Sequence, residues 1–494
     1  MHLCRFVAVV VTLACTVLAR PAAEQAPQSD VFALLRTIDD EGASERAWPG
    51  FRLSDWPLAV FDGTRTLLVR HPAPPPEFKP LDGHPGVLAA PGRHPAVVAG
   101  STVDLAGTRT ATVFVTPGSG NALAALAEEL FHVFWRHRHQ NFRPNEMARY
   151  GYPMKDVHNR QRVLAEHEAL ARALEAPDAA RAVSWAAAAL QVRRERQARL
   201  TSDDRAFETG MEMMEGTANA VARTIAGMKP SDTAQRMRLQ GERAAEELRW
   251  RYYDSGAAIC LLLDRLTGGA GPPGASAQDA RARAPLPARN WKSRIDAEPE
   301  TTTIALLAEI VARAAARPAT FTAEELAGFE RRAAAAIADL SARQARLRED
   351  LQSRAGVRVV VEIAPGHDAL RVTRFDPLNL FVLDGGEVVH PRYLTLSGPE
   401  GTIDVTNPDY SRGSFGGVVC LTRAAGRHPL ADGVRTLTLV GLKRPRAESG
   451  WDGVTVESEG VRITLKGATL ERDADGIVIT LGAVPGGAGF AHTG

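Results

Sequence analysis

Residues 122–139 read ALAALAEELFHVFWRHRH, and the placement of that stretch decides the fold. It lacks Gly and Pro and is rich in Ala, Leu and Glu, so it reads as a helix. At 100° per residue, Leu123, Leu126, Ala127, Leu130, Phe131, Val133 and Phe134 fill one arc. Glu128, Glu129, His132, Trp135 and Arg136 fill the other. Glu128 and His132 stand at i and i+4, so their side chains meet on adjacent turns, with Glu129 beside them.

Upstream, the period changes from helical to alternating. Segments 58–61, 66–69, 97–98, 102–105 and 110–115 are strand candidates, giving a small sheet over 55–117. The turn 117–120 ends it, and Asn121 can cap the helix that follows. Downstream, 120–355 carries helical periodicity in segments 159–174, 178–200, 204–228, 233–266, 291–295, 302–315 and 323–354. A Gly/Pro/Ala-rich loop at 267–289 interrupts it. From 356 the helical signal stops. Nine short β-rich segments between 357 and 481 predict an all-β sandwich or barrel over 356–485, with a disordered tail at 486–494. The fold class expected is therefore α+β: a small sheet and a mostly helical part over 55–355, then a β module.

Composition is that of a globular protein of 494 residues, with 45% hydrophobic residues, 24% charged residues and a formal net charge of +1. Such a balance gives no reason to expect a nucleic-acid partner. Residues 1–23 have a short basic start, an apolar run over 6–19 and small residues at Ala19, Ala22 and Ala23. They read as an export signal, too short for a span of ~20 residues. A retained anchor is the alternative. An extension over 24–54 with one short helix at 31–38 follows, and the expected location is periplasmic, extracellular or cell-surface. No later segment is long and apolar enough to span a membrane. Of four cysteines, Cys260 and Cys420 lie outside the signal. Export would permit a disulfide between them, while their apolar surroundings suit two buried thiols.

The chemistry-bearing pattern is Glu128-Glu129-Leu130-Phe131-His132. In a His-Glu-x-x-His helix two ligands at i and i+4 bind zinc, and the Glu between them is the general base. A third ligand must come from a later helix. Segment 163–174 offers Glu166 and Glu168 on opposite edges of its apolar face. Segment 204–225 offers Glu208, Glu212 and Glu215 on one stripe, extended by Asn219. Like charges at that spacing disfavour a helix unless something positive faces them: a metal, or arginines such as Arg193 and Arg194. A solvated acidic stripe is the plain alternative. Gly216 leaves room for close backbone approach.

Over residues 50–300 the chain resembles secreted zincin-like metallopeptidase-related proteins of the gluzincin branch. The features are the degenerate His-Glu-x-x-His helix, then Glu215-Gly216-Thr217-Ala218, then Tyr253-Asp254-Ser255-Gly256 and Leu262-Leu263-Asp264. The resemblance implies a zincin-like fold with zinc held by Glu128, His132 and either Glu215 or Glu168. It implies Glu129 as general base, and Tyr252 or Tyr253 as hydrogen-bond donor to a developing oxyanion. It implies a hydrolase acting on a peptide or protein. The departure is Glu128, which stands where the family has its first His. A one-His, two-Glu set is more anionic and would accept Mn²⁺ or Ca²⁺ more readily than a histidine-rich one. The same change fits a pseudoenzyme that keeps the cleft without turnover, or an envelope binding protein that uses its β module. His137 and His139 are off the stripe and read as surface residues.

Overall fold

The computed structural model describes residues 31–482, except 39–40, 98–99, 116–120, 143, 241–247, 269–290, 377–378, 408, 412–413, 427–429 and 473–475. The expected export signal, the turn at 117–120, most of the loop at 267–289 and the tail lie outside the described residues. The chain falls into two compact units, Met1–His137 with Thr224–Ala226, and Arg138–Arg223 with Gly227–Gly494.

The first unit holds a six-stranded sheet. Its strands are β1 (Leu58–Phe61), β2 (Arg65–Val69), β3 (Lys79–Pro80), β4 (Val87–Pro91), β5 (Ser101–Leu105) and β6 (Thr108–Phe114), in the order β3-β4-β2-β1-β6-β5. β1 runs parallel to β6, and the other neighbours are antiparallel. The central strands β1 and β2 are almost wholly buried, which explains their unbroken apolar runs. Ala59, Leu68, Phe78, Ala90, Val97 and Leu105 form one core cluster. Of the strand expected at Val97-Val98, Val98 lies outside the described residues and Val97 is not in a strand. It belongs instead to a loop that covers this core, and the strand is β4, whose Ala89-Ala90-Pro91 has little intrinsic β preference. Pairing with β2 forms it, with Ala90 opposite Thr66.

Short helices α1 (Val31–Ile38) and α2 (Glu41–Ala47) precede the sheet, and α3 (Ala122–Arg138) follows it. The apolar side of α3 is buried in an aromatic cluster. Phe131 lies 5.3 Å from Trp48 and 5.2 Å from Phe51, and Phe134 lies 5.2 Å from Phe51. Trp135 falls on the polar arc of the helical wheel. It is buried, 5.7 Å from Trp48, so the apolar arc is wider than the wheel suggested.

The second unit begins with helices α4 (Val157–Glu175), α5 (Ala179–Gln197) and α6 (Ser202–Met211). A π turn (Glu212–Gly216), α7 (Thr217–Ile225), α8 (Pro230–Gln240), α9 (Leu248–Thr267), α10 (Trp291–Ala297), α11 (Thr303–Arg313) and α12 (Ala323–Ser353) follow. Side-chain caps fix several starts: Asp156 on α4, Asp178 on α5, and Thr201/Asp204 and Thr322/Glu325 capping boxes on α6 and α12. The helix expected over 204–228 runs without leaving helical backbone through α6, the π turn and α7 to Ile225. Of the one expected over 233–266, α8 and α9 are described, and 241–247 between them lie outside the described residues.

The C-terminal part is two sheets that share one apolar core. The seven-stranded sheet has the order Ala468–Arg472, Gly476–Leu481, Val357–Ile363, Val434–Leu442, Val419–Ala424, Glu387–His390, Phe381–Val382. The six-stranded sheet has the order Arg446–Gly450, Gly453–Ser458, Val461–Lys466, Gly401–Thr406, Tyr393–Gly398, Arg371–Phe375. Val359, Val361, Leu437 and Ile479 of the first meet Leu394, Ile403, Val456 and Ile463 of the second. The result is a sandwich and not a barrel. Its outer face beside Leu383, Val389, Val419 and Val440 is covered by Leu347 and Leu351 of α12. Cys260 and Cys420 are separate buried thiols, whose pKa values burial pushes up.

Candidate metal centre

With the apolar side of α3 fixed in the aromatic cluster, its opposite side presents Glu128, Glu129 and His132, each half-buried. Helical spacing places Glu128 and His132 one turn apart. Glu129 lies against the chain where β5 begins: a Cβ added at Gly100 would lie 3.2 Å from Glu129 Oε1. Glycine there leaves room for the carboxylate.

The acidic stripe of α6 and the π turn is the second contribution. Glu208, Glu212 and Glu215 are 1%, 3% and 2% exposed, which excludes a solvated stripe. Two of them are neutralised by arginine. Glu212 accepts Arg193 Nη1 and Nη2 at 2.6 Å each, and Ser255 Oγ at 2.6 Å. Glu208 accepts Arg196, Arg251 at 2.5 Å, the Tyr152 hydroxyl at 2.6 Å and Gln197 at 2.8 Å. Glu166 of α4 completes the network, taking Arg193 Nε at 2.7 Å and Arg196 Nη2 at 3.0 Å. Burial alone would raise the Glu208 and Glu166 carboxyls, but the arginines hold both below the usual carboxylate range. Arg193 was one of the two arginines expected to face the stripe. Arg194 is exposed, and Arg196, one helical turn beyond Arg193, takes its place.

Glu215 has a different setting. One carboxylate oxygen from Glu128, one ring nitrogen from His132 and one carboxylate oxygen from Glu215 all lie within 4.8 Å of one another. Zinc bonds of about 2.0–2.2 Å would put tetrahedral donors roughly 3.4 Å apart, against the 4.8 Å that bounds this set. Two hard carboxylate oxygens and one imidazole suit Zn²⁺, and suit Mn²⁺ better than a histidine-rich set would.

The other sequence candidates are not among the three residues of that group. Glu168 is bound by Arg172 at 2.8 Å and Arg238 at 2.8 Å, and belongs to an ion-pair cluster with Glu175 and Glu325. Burial would raise its carboxyl, but the hydrogen bonds from Arg238 and Arg172 lower it. Tyr252 is fully buried against Phe207 and Arg251, and Tyr253 is buried beside Trp250. His137 is exposed, as expected. His139 is not a free surface residue, because Nε2 meets Asp296 at 3.2 Å. Sequence reasoning missed Gly100 and the π turn, and gave Ser255 no role beyond its place in a short motif. Gly256, quoted only as part of a short motif, lies against Gly216 and is half of a close backbone contact.

The chain matches no known family profile, and no curated protein and no solved structure is significantly similar to it.

Proposed function

We propose that this protein is an exported, zincin-like, metal-dependent hydrolase that cleaves peptide bonds. One observation carries the reading. Glu128, His132 and Glu215 offer three ligand atoms within 4.8 Å, and Glu129 follows Glu128 directly on the same helix. A divalent ion held by those three side chains would supply a Lewis acid and a water of lowered pKa. Glu129 then has the role of general base, taking the proton of the attacking water and passing it to the leaving amine. Edge strand β5 favours an extended peptide as substrate. Among the described residues its outer edge has no neighbouring strand, and Gly100 at its start lies against Glu129. A peptide added along that edge by main-chain hydrogen bonds would pass its carbonyls close to the base.

The second reading is a pseudoenzyme that binds metal or peptide without turnover, and Glu128 in place of a histidine favours it. Metal analysis and hydrolysis of a peptide library by the purified chain separate the two. About one Zn²⁺ or Mn²⁺ per chain is expected. Glu129→Gln should keep the ion and lower hydrolysis by roughly 10²-fold or more. An ion with no hydrolysis by the wild type gives the metal-binding pseudoenzyme, and a stable, metal-free chain rejects the hydrolase and leaves only a pseudoenzyme that binds peptide.

A further inference from the structure

The edge strand Arg371–Phe375 of the six-stranded C-terminal sheet reads Arg-Val-Thr-Arg-Phe. Plain alternation would put Arg371 and Arg374 on opposite faces of that sheet. Pairing with Tyr393–Gly398 puts them on one. Arg374 stands opposite Thr395 and Arg371 opposite Ser397, while Phe375 stands opposite Leu394 and Val372 opposite Leu396, with a register shift between the two halves. Thr373 is the extra residue of a β-bulge. Its hydroxyl donates to the Thr395 carbonyl at 3.3 Å and lies 3.4 Å from Ser397 Oγ. Leu394 and Leu396 belong to the sandwich core, and Val372 and Phe375 pack against it. Thr395 and Ser397 alternate with those leucines and face outward, so both arginines lie exposed on the outer face.

The bulge thus converts a three-residue separation into the two-residue repeat of an extended chain, roughly 7 Å. The Arg374 guanidinium stacks over the Tyr393 ring, 4.5 Å from its centre, which limits its freedom. Other arginines of this sheet have acidic partners. Arg446 meets Glu448 at 2.7 Å, Arg462 meets Glu457 at 3.3 Å, and Arg392 meets Asp376 at 3.3 Å. Among the described residues no carboxylate pairs with Arg371 or Arg374, and no strand lies beyond theirs. Two like charges and a bulge bar a second copy of the same edge from pairing here. They suit an extended chain that carries carboxylates at alternate positions.

We propose that this edge is a docking site for an acidic, extended segment of a partner protein, which adds alongside Arg371–Phe375 and sets alternate carboxylates on Arg374 and Arg371. The inference stands apart from the metal-site reading: the edge lies wholly in the second unit, and no residue of the metal centre takes part.

The test is fluorescence anisotropy on the full chain with short fluorescein-labelled peptides. One alternates Glu and Thr, one alternates Gln and Thr, and one repeats Glu-Glu-Thr-Thr, which has the same charge but no glutamates two residues apart. The alternating acidic peptide should bind best, and its affinity should fall as salt rises. Arg371→Glu and Arg374→Glu should each weaken it by about five-fold, since an exposed attraction becomes a repulsion. Arg446→Glu, elsewhere on the same sheet, should leave it unchanged. If a charge reversal lowers the melting temperature, Arg371→Gln and Arg374→Gln decide instead, each with a loss of about two-fold. No saturable binding up to about 1 mM overturns the proposal, as does unchanged affinity in the arginine variants. Equal binding of the Glu-Glu-Thr-Thr peptide reduces the edge to a general positive patch and overturns it too, as does binding of heparin with neither acidic peptide.

Discussion

At the residue scale the decisive position is Glu128. Its carboxylate can ligate at the same i, i+4 spacing as an imidazole, but it adds negative charge to a set already holding Glu215. That charge would favour hard ions and would weaken the Lewis acidity of an ion held there. Glu128→His would restore two imidazoles on α3. It should raise the preference for Zn²⁺ over Mn²⁺ by about ten-fold or more, measured by competition between the two ions. An unchanged preference would mean that Glu128 is not a ligand. The spacing of Glu128, Glu129 and His132 was legible in the sequence because helix geometry alone sets it. The burial of Trp135 was not, because an aromatic ring at the edge of an arc goes wherever a partner waits, and Trp48 comes from a distant segment.

At the element scale the π turn is the main departure from what periodicity could give. Segment 204–228 keeps an apolar face throughout, so nothing in its pattern marks the inserted residue. The stripe of three glutamates was readable, and so was its need for positive partners. The packing of α9 on this segment was not readable, because Gly256 meets Gly216 only through the fold. Gly256→Ala tests how tightly this packing is specified. The new Cβ would stand 2.6 Å from Gly216 Cα and 2.7 Å from the Glu212 carbonyl oxygen, both backbone atoms with little freedom to yield. Overpacking of this kind costs roughly 1–3 kcal/mol or more, so the urea midpoint should fall clearly below that of the wild type. An unchanged midpoint would show that α9 slides without cost.

At the scale of the whole molecule, buried ionisable groups set the pH response. Burial lowers the His167 and His390 imidazoles from 6.5 to about 3. Their folded pKa values lie below the unfolded value, so between pH 6.5 and about 3 the unfolded chain holds protons that the folded chain does not. Stability contributed by the neutral imidazoles is therefore present above pH 6.5 and is lost as the pH falls through that window. The paired Glu166 and Glu208, whose pKa values are also depressed in the folded state, extend the loss below the ordinary glutamate range. His390→Gln should flatten the slope of the urea midpoint against pH across that window. An identical slope would assign the acid sensitivity elsewhere.

The same scale decides whether the sandwich is an appendage. Alternating β segments made its existence legible, whereas edge strands such as Arg371–Phe375, with no fully buried residue, were invisible to that signal. The sequence also gave no hint that α12 joins it to the helical part. That helix runs 31 residues, about 46 Å at 1.5 Å per residue. Phe329 and Ala333 pack with Leu164, Ala165 and Val192 of α4 and α5 near its start. Leu351 packs on Leu383, Val389 and Val419 at its end. Gln344 Nε2 donates to the Val382 carbonyl at 2.7 Å, and Arg348 reaches Glu387 at 2.9 Å. One rigid element thus lies in two cores, and the two should unfold together. Leu351→Ala removes the central apolar contact at the sandwich end, at a cost of about 2–5 kcal/mol. If α12 carries the coupling, calorimetry should show one transition in the wild type and two in the variant, the earlier one belonging to the sandwich. Two transitions in the wild type would make the sandwich an independent module. A single, merely lowered transition in Leu351→Ala would place the coupling in the polar contacts of Gln344 and Arg348.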